Sequence, residues 1–187
     1  MTDKKALHLR ATRTFKDVFG VTRKAGEEWL VTLADAETHI PDVYEQVVGE
    51  VKITSLTNRQ YCYVVDPWKD GKPQLGQREL RKGEVSFFLK PGERLETGIQ
   101  NVHVLSEEEA ILLAAKQDFF DVVSKKKRSA GERFMVYGPT DYVPPVEVDF
   151  IEKRTAIPLD ENEGNEISLK FLLIFFSRYL RQRYQDW

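Results

Sequence analysis

Residues 22–31 read TRKAGEEWLV, residues 80–89 read LRKGEVSFFL, and residues 127–136 read KRSAGERFMV. Each block has an arginine, one or two further residues, a Gly-Glu pair, and then a short aromatic or aliphatic run. Gly26, Gly83 and Gly131 are 57 and 48 residues apart, which indicates a repeating unit of about 50 residues. Because glycine adopts positive φ without steric cost, each Gly-Glu pair predicts a turn directly before a strand.

A second set of residues follows these blocks in the same order. Each block is followed by a proline, and later by a leucine that opens a polar step before apolar residues. The prolines are Pro41, Pro91 and Pro144, and the leucines are Leu56, Leu105 and Leu159. The leucines are 49 and 54 residues apart, so they support the same repeat length. The pattern predicts an all-β chain, a tandem array of small antiparallel β-sheet domains of about 50 residues each.

One segment has a conflicting signal. Residues 106–116 read SEEEAILLAAK, in which Ser106 and Glu109 have capping-box spacing and good helix formers follow. The repeat register instead aligns residues 110–113 with the strand-like residues 61–64. We predict a strand, because tertiary context often overrides helix propensity.

Composition excludes several classes of function. The 187 residues carry 28 basic and 30 acidic side chains, for a net charge of -2, so no overall field favours nucleic-acid binding. Cys62 is the single cysteine, which suits a buried apolar role and a reducing, cytoplasmic setting. The N-terminal residues do not resemble a secretory signal. The longest apolar run, FLLIFF at residues 171–176, is much shorter than the roughly 20 residues of a membrane-spanning helix.

The histidines and carboxylates are the residue types most suited to metal binding or acid–base chemistry. His8, His39 and His103 are far apart in the sequence, and none has a neighbouring ligand at metal spacing. The acidic residues 107–109 and 160–163 lack the spacing of a calcium loop and fit solvated turns. We therefore predict no catalytic residue, no cofactor-binding residue and no metal ligand.

The basic residues 125–128, KKKR, resemble a short nuclear-import or polyanion-binding patch. A solvated loop between strands is the preferred interpretation, because Asp121 and Glu132 flank the four charges. The tryptophans suggest no cofactor site, and Trp29 aligns with Phe134 of the third block. We expect both side chains to lie in a hydrophobic core.

Long runs of this sequence resemble vault repeats. The resemblance is carried by ALHLRATRTFKDVFGVTRKAGEEWLVTLADAETHIPDVYEQVVGEV (6–51), YCYVVDP (61–67), DGKPQLGQ (70–77), KGEVSFFLKPGERLETGIQNVHVLSEEEAILL (82–113) and AIPLDENEG (156–164). It covers about residues 6–164, and residues 118–129 are a looser match that suggests a loop.

This resemblance implies a position in the barrel wall of the vault, a hollow cytoplasmic ribonucleoprotein particle in which identical chains lie side by side. The implied partners are identical or full-length vault protein chains, with other vault components in addition. No direct nucleic-acid binding and no membrane span are expected. The implied location is the cytoplasm, with the nucleus as a further site.

The expected domain limits are 1–67, 68–117 and 118–164 for three vault-like repeats, the third of them incomplete, followed by a divergent tail at 165–187. After Gly164 both the repeat pattern and the resemblance end, and the tail reads NEISLKFLLIFFSRYLRQRYQDW. We interpret the chain as a truncated isoform or an incomplete gene model whose tail lies outside the folded unit. A tail that rests on an anionic membrane surface is the alternative.

The leading hypothesis is a structural, non-enzymatic subunit that associates side by side. A β-repeat module that binds a signalling or nuclear partner through exposed sheet edges is the alternative.

Overall fold

The computed structural model describes residues 2–69, 71–122 and 124–157. All regular elements in those residues are β-strands, and no helix occurs among them. The prediction of an all-β chain with several small antiparallel sheets is confirmed. The predicted tail at 165–187, the completeness of the third repeat and the leucine step at Leu159 lie outside the described residues.

The strands fall into three consecutive groups. The first contains β1 (Lys5–Ala11), β2 (Phe15–Lys16), β3 (Thr22–Arg23), β4 (Glu28–Val31) and β5 (Glu45–Lys52). The second contains β6 (Thr54–Leu56), β7 (Gln60–Val65), β8 (Trp68–Lys69), β9 (Lys72–Pro73), β10 (Arg78–Lys82), β11 (Val85–Phe87), β12 (Arg94–Leu95) and β13 (Gln100–Asn101). The third contains β14 (His103–Leu105), β15 (Glu109–Ala115), β16 (Phe119–Asp121), β17 (Lys126–Arg128), β18 (Arg133–Tyr137), β19 (Thr140–Tyr142) and β20 (Val148–Thr155).

Each group has one main antiparallel sheet with a central strand. The orders are β4-β1-β5 in the first group and β18-β15-β20 in the third, and in the second group β7 pairs with β10, β12 and β13. A small hairpin leads from the central strand to the next strand of each sheet: β2–β3, β8–β9 and β16–β17. Two further pairs, β6–β11 and β14–β19, are equivalent in the second and third groups.

Strand pairing stays within residues 2–52, 53–102 and 103–157, and these are called the first, second and third repeat units below. β7 pairs with β10, and β15 pairs with β18, so the expected limits after residues 67 and 117 would divide two sheets. Pairing favours limits near residues 52 and 102. The domain limits themselves stay a prediction.

A four-residue turn precedes the central strand in the second and third units and recurs elsewhere. Glu109 N–H donates to the carbonyl of Ser106, and Ser106 N–H donates to the Glu109 carboxylate at 3.0 Å. The same reciprocal bonds join Lys24 with Glu27, Asp42 with Glu45, Thr57 with Gln60, Lys90 with Glu93, and Ser129 with Glu132.

This turn explains the conflicting signal at residues 106–116. A capping box uses reciprocal bonds at the same spacing to begin a helix. In this chain Ser106 and Glu109 close a turn, and β15 continues in extended conformation between β18 and β20. The strand prediction is therefore confirmed, because pairing on both sides outweighs the helix propensity of the segment.

The glycine alignment is correct for two blocks and wrong for one. Gly26 and Gly131, with φ of 82° and 80°, lie two residues before β4 and β18. In the second unit that position belongs to Gly76, with φ of 76°, because β10 pairs with β7 as β4 pairs with β1. Gly83 lies at the other end of β10.

Gly83 and Gly138 occupy equivalent positions instead. The N–H of Gly83 donates to the carbonyl of Gln60, and the N–H of Gly138 donates to the carbonyl of Glu109. Each glycine follows the strand that pairs with the central strand and precedes the second strand of the small pair, β11 or β19. The Gly-Glu dipeptide alone does not distinguish the two turns.

Each unit has its own small core on one face of its main sheet. Trp29 is 6% exposed and packs with Leu9 and Val31, while Phe134 is 6% exposed and packs with Leu113. Trp29 lies opposite Leu9, and Phe134 lies opposite Leu113. The predicted equivalence of the two aromatic residues is confirmed.

The core of the second unit contains Cys62, Val64 and Leu56. Cys62 is fully buried, and its burial raises the pKa of the thiol above the ordinary value. The interpretation of Cys62 as a small buried hydrophobe is confirmed.

A buried carboxylate fixes the hairpin of the first unit. Asp17 accepts hydrogen bonds from the N–H groups of Phe19 and Val21, and from Arg23 Nε at 2.8 Å. The Arg23 guanidinium lies 4.6 Å from the ring centre of Trp29. Burial of Asp17 opposes its ionisation, but these hydrogen bonds outweigh burial and hold the pKa of Asp17 below the usual range.

We expect Asp17→Asn to lower the free energy of unfolding by about 1.5–3 kcal/mol at neutral pH, the range for hydrogen bonds to a charged group. Because the pKa of folded Asp17 is lowered, its stabilisation is complete above the ordinary pKa of about 3.9 and is lost as pH falls through the folded value. Urea titrations from neutral pH to about pH 3 should therefore show the two proteins converging on acidification. Asp141→Asn, at an exposed position, is the control, and equal effects of both substitutions would contradict the role of Asp17.

Residues 118–129 form more than the expected loop. β16 and β17 pair in antiparallel register, with Phe119 opposite Arg128. Arg128 repeats the role of Arg23, because it donates to Glu132 and lies 4.4 Å from the ring centre of Phe134. The loop prediction missed this hairpin, because a two-strand pair held by buried charge has no apolar alternation.

Candidate assembly surface

The three histidines lie in separate places. His8 Nε2 is 3.0 Å from the Glu28 carboxylate, and His39 Nε2 is 2.7 Å from the Glu45 carboxylate. His103 stacks on the ring of Phe150, with 4.8 Å between ring centres. Burial lowers the pKa of His103, and the charge of Lys153 adds to this effect.

The described residues were also compared by the grouping of side chains that bind metal ions: His, Cys, Asp and Glu. No group of three or more His, Cys, Asp or Glu side chains among the described residues could hold a metal ion. The acidic residues 107–109 belong to the turn that begins β15, and residues 160–163 lie outside the described residues. Within the described ranges, no helix is long and apolar enough to cross a membrane.

The basic residues 125–128 divide into two kinds. Arg128 is half-buried and binds Asp121 and Glu132. Lys125 lies in the turn of the β16–β17 hairpin, Lys126 and Lys127 lie in β17, and all three are exposed. Only the three lysines therefore contribute to a charged surface.

Two outer strands carry exposed apolar side chains. β5 lies at the edge of the first unit's main sheet, and β20 lies at the edge of the third unit's main sheet. Among the described residues neither strand has a partner on its outer side. Unpaired N–H and C=O groups on such edges are templates for contact with another chain.

β5 and β20 are equivalent strands with the same exposed apolar positions. Thr12 N–H donates to the carbonyl before β5, and Lys116 N–H donates to the carbonyl before β20. This equivalence places Val47 and Val48 of β5 at the positions of Phe150 and Ile151 in β20. Their exposed fractions are 48%, 46%, 44% and 41% in that order. Single exposed apolar side chains are common on protein surfaces. Exposed apolar side chains at the same position in two units are a stronger indication of an interaction surface.

Side-chain features of both strands oppose simple strand addition. Leu9 pairs with Val47 and His8 with Gly49, so Val48 is the additional residue of a β-bulge in β5. β20 carries Glu152 and Lys153 as exposed charges along its edge. Bulges and edge charges both discourage backbone pairing between sheets. The geometry favours contact through side chains.

Adjacent units also contact each other within the chain. Tyr63 Oη of the second unit donates to the carbonyl of Pro144 in the third at 2.7 Å. His103 lies between Tyr61 and Phe150, with 6.4 Å between its ring centre and that of Tyr61. These contacts join the second and third units, as expected of a repeat array in which neighbours stabilise each other.

The sequence interpretation missed these edge positions. The runs EQVVGEVK at β5 and VDFIEKRT at β20 each contain two adjacent apolar residues, where a half-buried strand would alternate. That break in alternation was the available signal.

Comparison with known proteins gives one consistent family. One model of the major vault protein repeat domain matches residues 1–42 and 103–145. A second model of the same description matches residues 53–99. The three ranges follow the order of the three units defined by strand pairing, and the first and third ranges end before β5 and β20.

Known relatives agree with the family models. The chain is 64% identical to major vault protein alpha of Dictyostelium discoideum over 88% of this chain and 20% of that protein. It is 60% identical to major vault protein of Strongylocentrotus purpuratus and 56% identical to that of Bos taurus, over 88% of this chain and 19% of each relative. The chain thus spans about a fifth of the length of these relatives, and it belongs to the major vault protein repeat family.

Proposed function

We propose that this chain is a non-catalytic structural module of a vault-like shell, which associates side by side with identical or full-length vault protein chains. The observation that carries the proposal is the pair of equivalent edge strands. Val47 and Val48 in the first unit, and Phe150 and Ile151 in the third, expose apolar side chains at the same repeat position. Parallel association of identical chains would cover every such position by one kind of contact.

The relatives support the structural part of this proposal, because they are major vault proteins of which this chain matches about a fifth. The barrel wall is the proposed position. The proposed location is the cytoplasm with the nucleus as a further site, and other vault components are proposed as additional partners. The fully buried thiol of Cys62 is compatible with a reducing compartment.

An interaction module that binds a signalling or nuclear partner is the second candidate function. The open edges of β5 and β20 would serve this role by accepting an added strand. The bulge at Val48 and the charges of Glu152 and Lys153 make such pairing less favourable. Side-chain packing between copies is therefore the preferred use of these edges.

Lysine in place of the exposed apolar residues on the two edges should weaken self-association. We expect the double variant Val47→Lys, Ile151→Lys to weaken self-association at least about tenfold, equivalent to about 1.4 kcal/mol. The reason is that the contact would then desolvate two ammonium groups in place of two aliphatic side chains. Sedimentation velocity over a range of protein concentrations measures the change.

Val104→Lys is the matched control, because Val104 is 52% exposed on β14, outside the two edges. All variants should keep their thermal unfolding nearly unchanged, as is usual for surface substitutions. Equal self-association of the double variant and wild type would reject the edges as the contact surface.

A further inference from the structure

We infer that neighbouring copies meet through charge: the basic hairpin of one copy contacts the acidic edge segment of the next. This inference rests on the proposed side-by-side association and names the two surfaces involved. In the third unit the basic hairpin is residues 119–128, and the acidic edge segment is residues 138–152. The partner is a second copy of this chain.

Charge is separated along the third unit. The basic hairpin contains four basic side chains and one acidic one, Asp121, which is buried. The acidic edge segment contains no lysine or arginine, although Lys153 and Arg154 follow it in β20, and its acidic residues are Asp141, Glu147, Asp149 and Glu152. Asp149 and Glu152 also form ion pairs within the chain, with Lys116 and Arg154. Two oppositely charged surfaces on one repeat unit are complementary between copies.

The first unit also has basic residues at its hairpin and acidic residues toward its edge strand, although its basic residues occupy other hairpin positions than Lys125, Lys126 and Lys127. Its hairpin, residues 13–24, contains four basic residues and the buried Asp17. The segment that leads to and includes most of β5, residues 32–50, contains no lysine or arginine, and its acidic residues are Asp35, Glu37, Asp42, Glu45 and Glu50. Recurrence in two units would let in-register association of identical repeat chains use the same kind of contact more than once along the chain.

Both surfaces also expose apolar side chains beside their charges. Phe120 and Val122 of the hairpin are 61% and 78% exposed. Phe150 and Ile151 of the acidic edge segment are 44% and 41% exposed. Apolar burial would supply the contact, while the charges would select the surfaces that meet and their register.

The basic side chains in question are available for such a contact. Arg128 is used inside the unit, where it binds Glu132. Lys125, Lys126 and Lys127 precede Arg128 in the same hairpin, and their side chains are exposed. Exposed charges are screened within a Debye length of about 8 Å at physiological ionic strength, so the two surfaces must approach closely for the attraction to act.

A competing explanation is that each hairpin and its own acidic edge segment interact within one chain. In the first unit Phe19 stacks on His39, and the Arg13 guanidinium lies 5.0 Å from the ring centre of Tyr44. Contacts of this kind stay within one chain. An experiment with two different variants in one mixture separates the explanations.

The test uses the full chain in two charge-reversed forms. The hairpin variant carries Lys125→Glu, Lys126→Glu and Lys127→Glu, and the edge variant carries Asp141→Lys and Glu152→Lys. Each alone should self-associate at least about tenfold more weakly than wild type, because both of its surfaces then have the same sign. An equimolar mixture should recover most of the association, since each reversed surface meets its complement on the other variant.

Glu107→Lys with Glu108→Lys is the control for the edge variant. These exposed residues lie in the turn before β15, so the pair changes the net charge equally without altering the acidic edge segment. It should associate as wild type does. Sedimentation velocity at low and high salt measures all five samples, and higher salt should reduce the difference between wild type and the variants.

Each remaining outcome overturns the inference. Variants that associate as tightly as wild type would reject these surfaces and leave the proposed function in place. Loss of association without recovery in the mixture would show that the charges act within a chain or on folding. Wild-type chain that stays monomeric at all concentrations would reject the proposed function, and the inference with it.

Discussion

Trp29→Ala should be among the most destabilising single substitutions in this chain, with a loss of about 3–5 kcal/mol in the free energy of unfolding of the first unit. Trp29 is 6% exposed and packs against Leu9 and Val31. Its ring also supports the Arg23 guanidinium that binds Asp17. Truncation therefore leaves a cavity and also removes the aromatic ring that contacts the guanidinium of the Arg23–Asp17 ion pair.

Trp29→Phe is the matched control for this prediction. Phe134 fills the equivalent position in the third unit, under Arg128. Trp29 Nε1 is buried without a hydrogen-bond partner among the described residues, so phenylalanine removes an unpaired N–H group. We expect a cost below about 1.5 kcal/mol. Chemical denaturation followed by circular dichroism measures both variants, and a near-wild-type midpoint for Trp29→Ala would show that this core is not formed as described.

Gly138→Ala should destabilise the third unit by about 3 kcal/mol or more, at or beyond the upper end of overpacking effects. A Cβ at this position would overlap the backbone carbonyl of Ser106. That carbonyl accepts the N–H of Glu109 in the turn that begins β15. The clash is with backbone, so relief would require displacement of the turn or of the β14–β19 pair.

Gly49→Ala is the control for the clash. Gly49 lies in β5, and a Cβ there would meet nothing within 4 Å. We expect an effect within about 0.5 kcal/mol, as for ordinary surface substitutions. Hydrogen exchange should show faster exchange of β15 in Gly138→Ala and unchanged exchange in the control. Equal stability of the two variants would contradict the tight approach of Gly138 to Ser106.

Much of the fold could be predicted because the repeated units of the chain can be aligned with one another. The strand at β15 was predictable from its register with β7, although its local composition favours a helix. The equivalence of Trp29 and Phe134 followed from the same register. Independent copies of one unit thus supply information that a single strand lacks.

The position of Gly83 could not be predicted from sequence similarity alone. Gly83-Glu84 and Gly92-Glu93 look alike in sequence, yet only Glu93 closes a reciprocal turn, with Lys90. The equivalent of Gly26 is Gly76, which is followed by glutamine. Hydrogen bonding distinguishes these turns, because several residue types satisfy the same backbone geometry.

The candidate assembly surface was less predictable than the fold. Whether Val47 and Phe150 face solvent depends on which strands lie at the edges of their sheets, and sequence does not state that order. The buried roles of Asp17 and Arg128 were also missed, because a charged side chain in a short hairpin resembles an ordinary solvated one. The ion pairs of the folded chain distinguish Asp17 and Arg128, which are bound within their units, from the exposed lysines at residues 125–127.

As a wall module, this chain should join vault-like shells through lateral contacts. The most direct test is to mix the tagged chain with full-length major vault protein during assembly and to examine purified particles by negative-stain microscopy with a label on the tag. We predict label along the barrel wall, and loss of that label with Val47→Lys, Ile151→Lys. Particles that form normally and never carry label, with the tagged chain remaining in the soluble fraction, would contradict the claim.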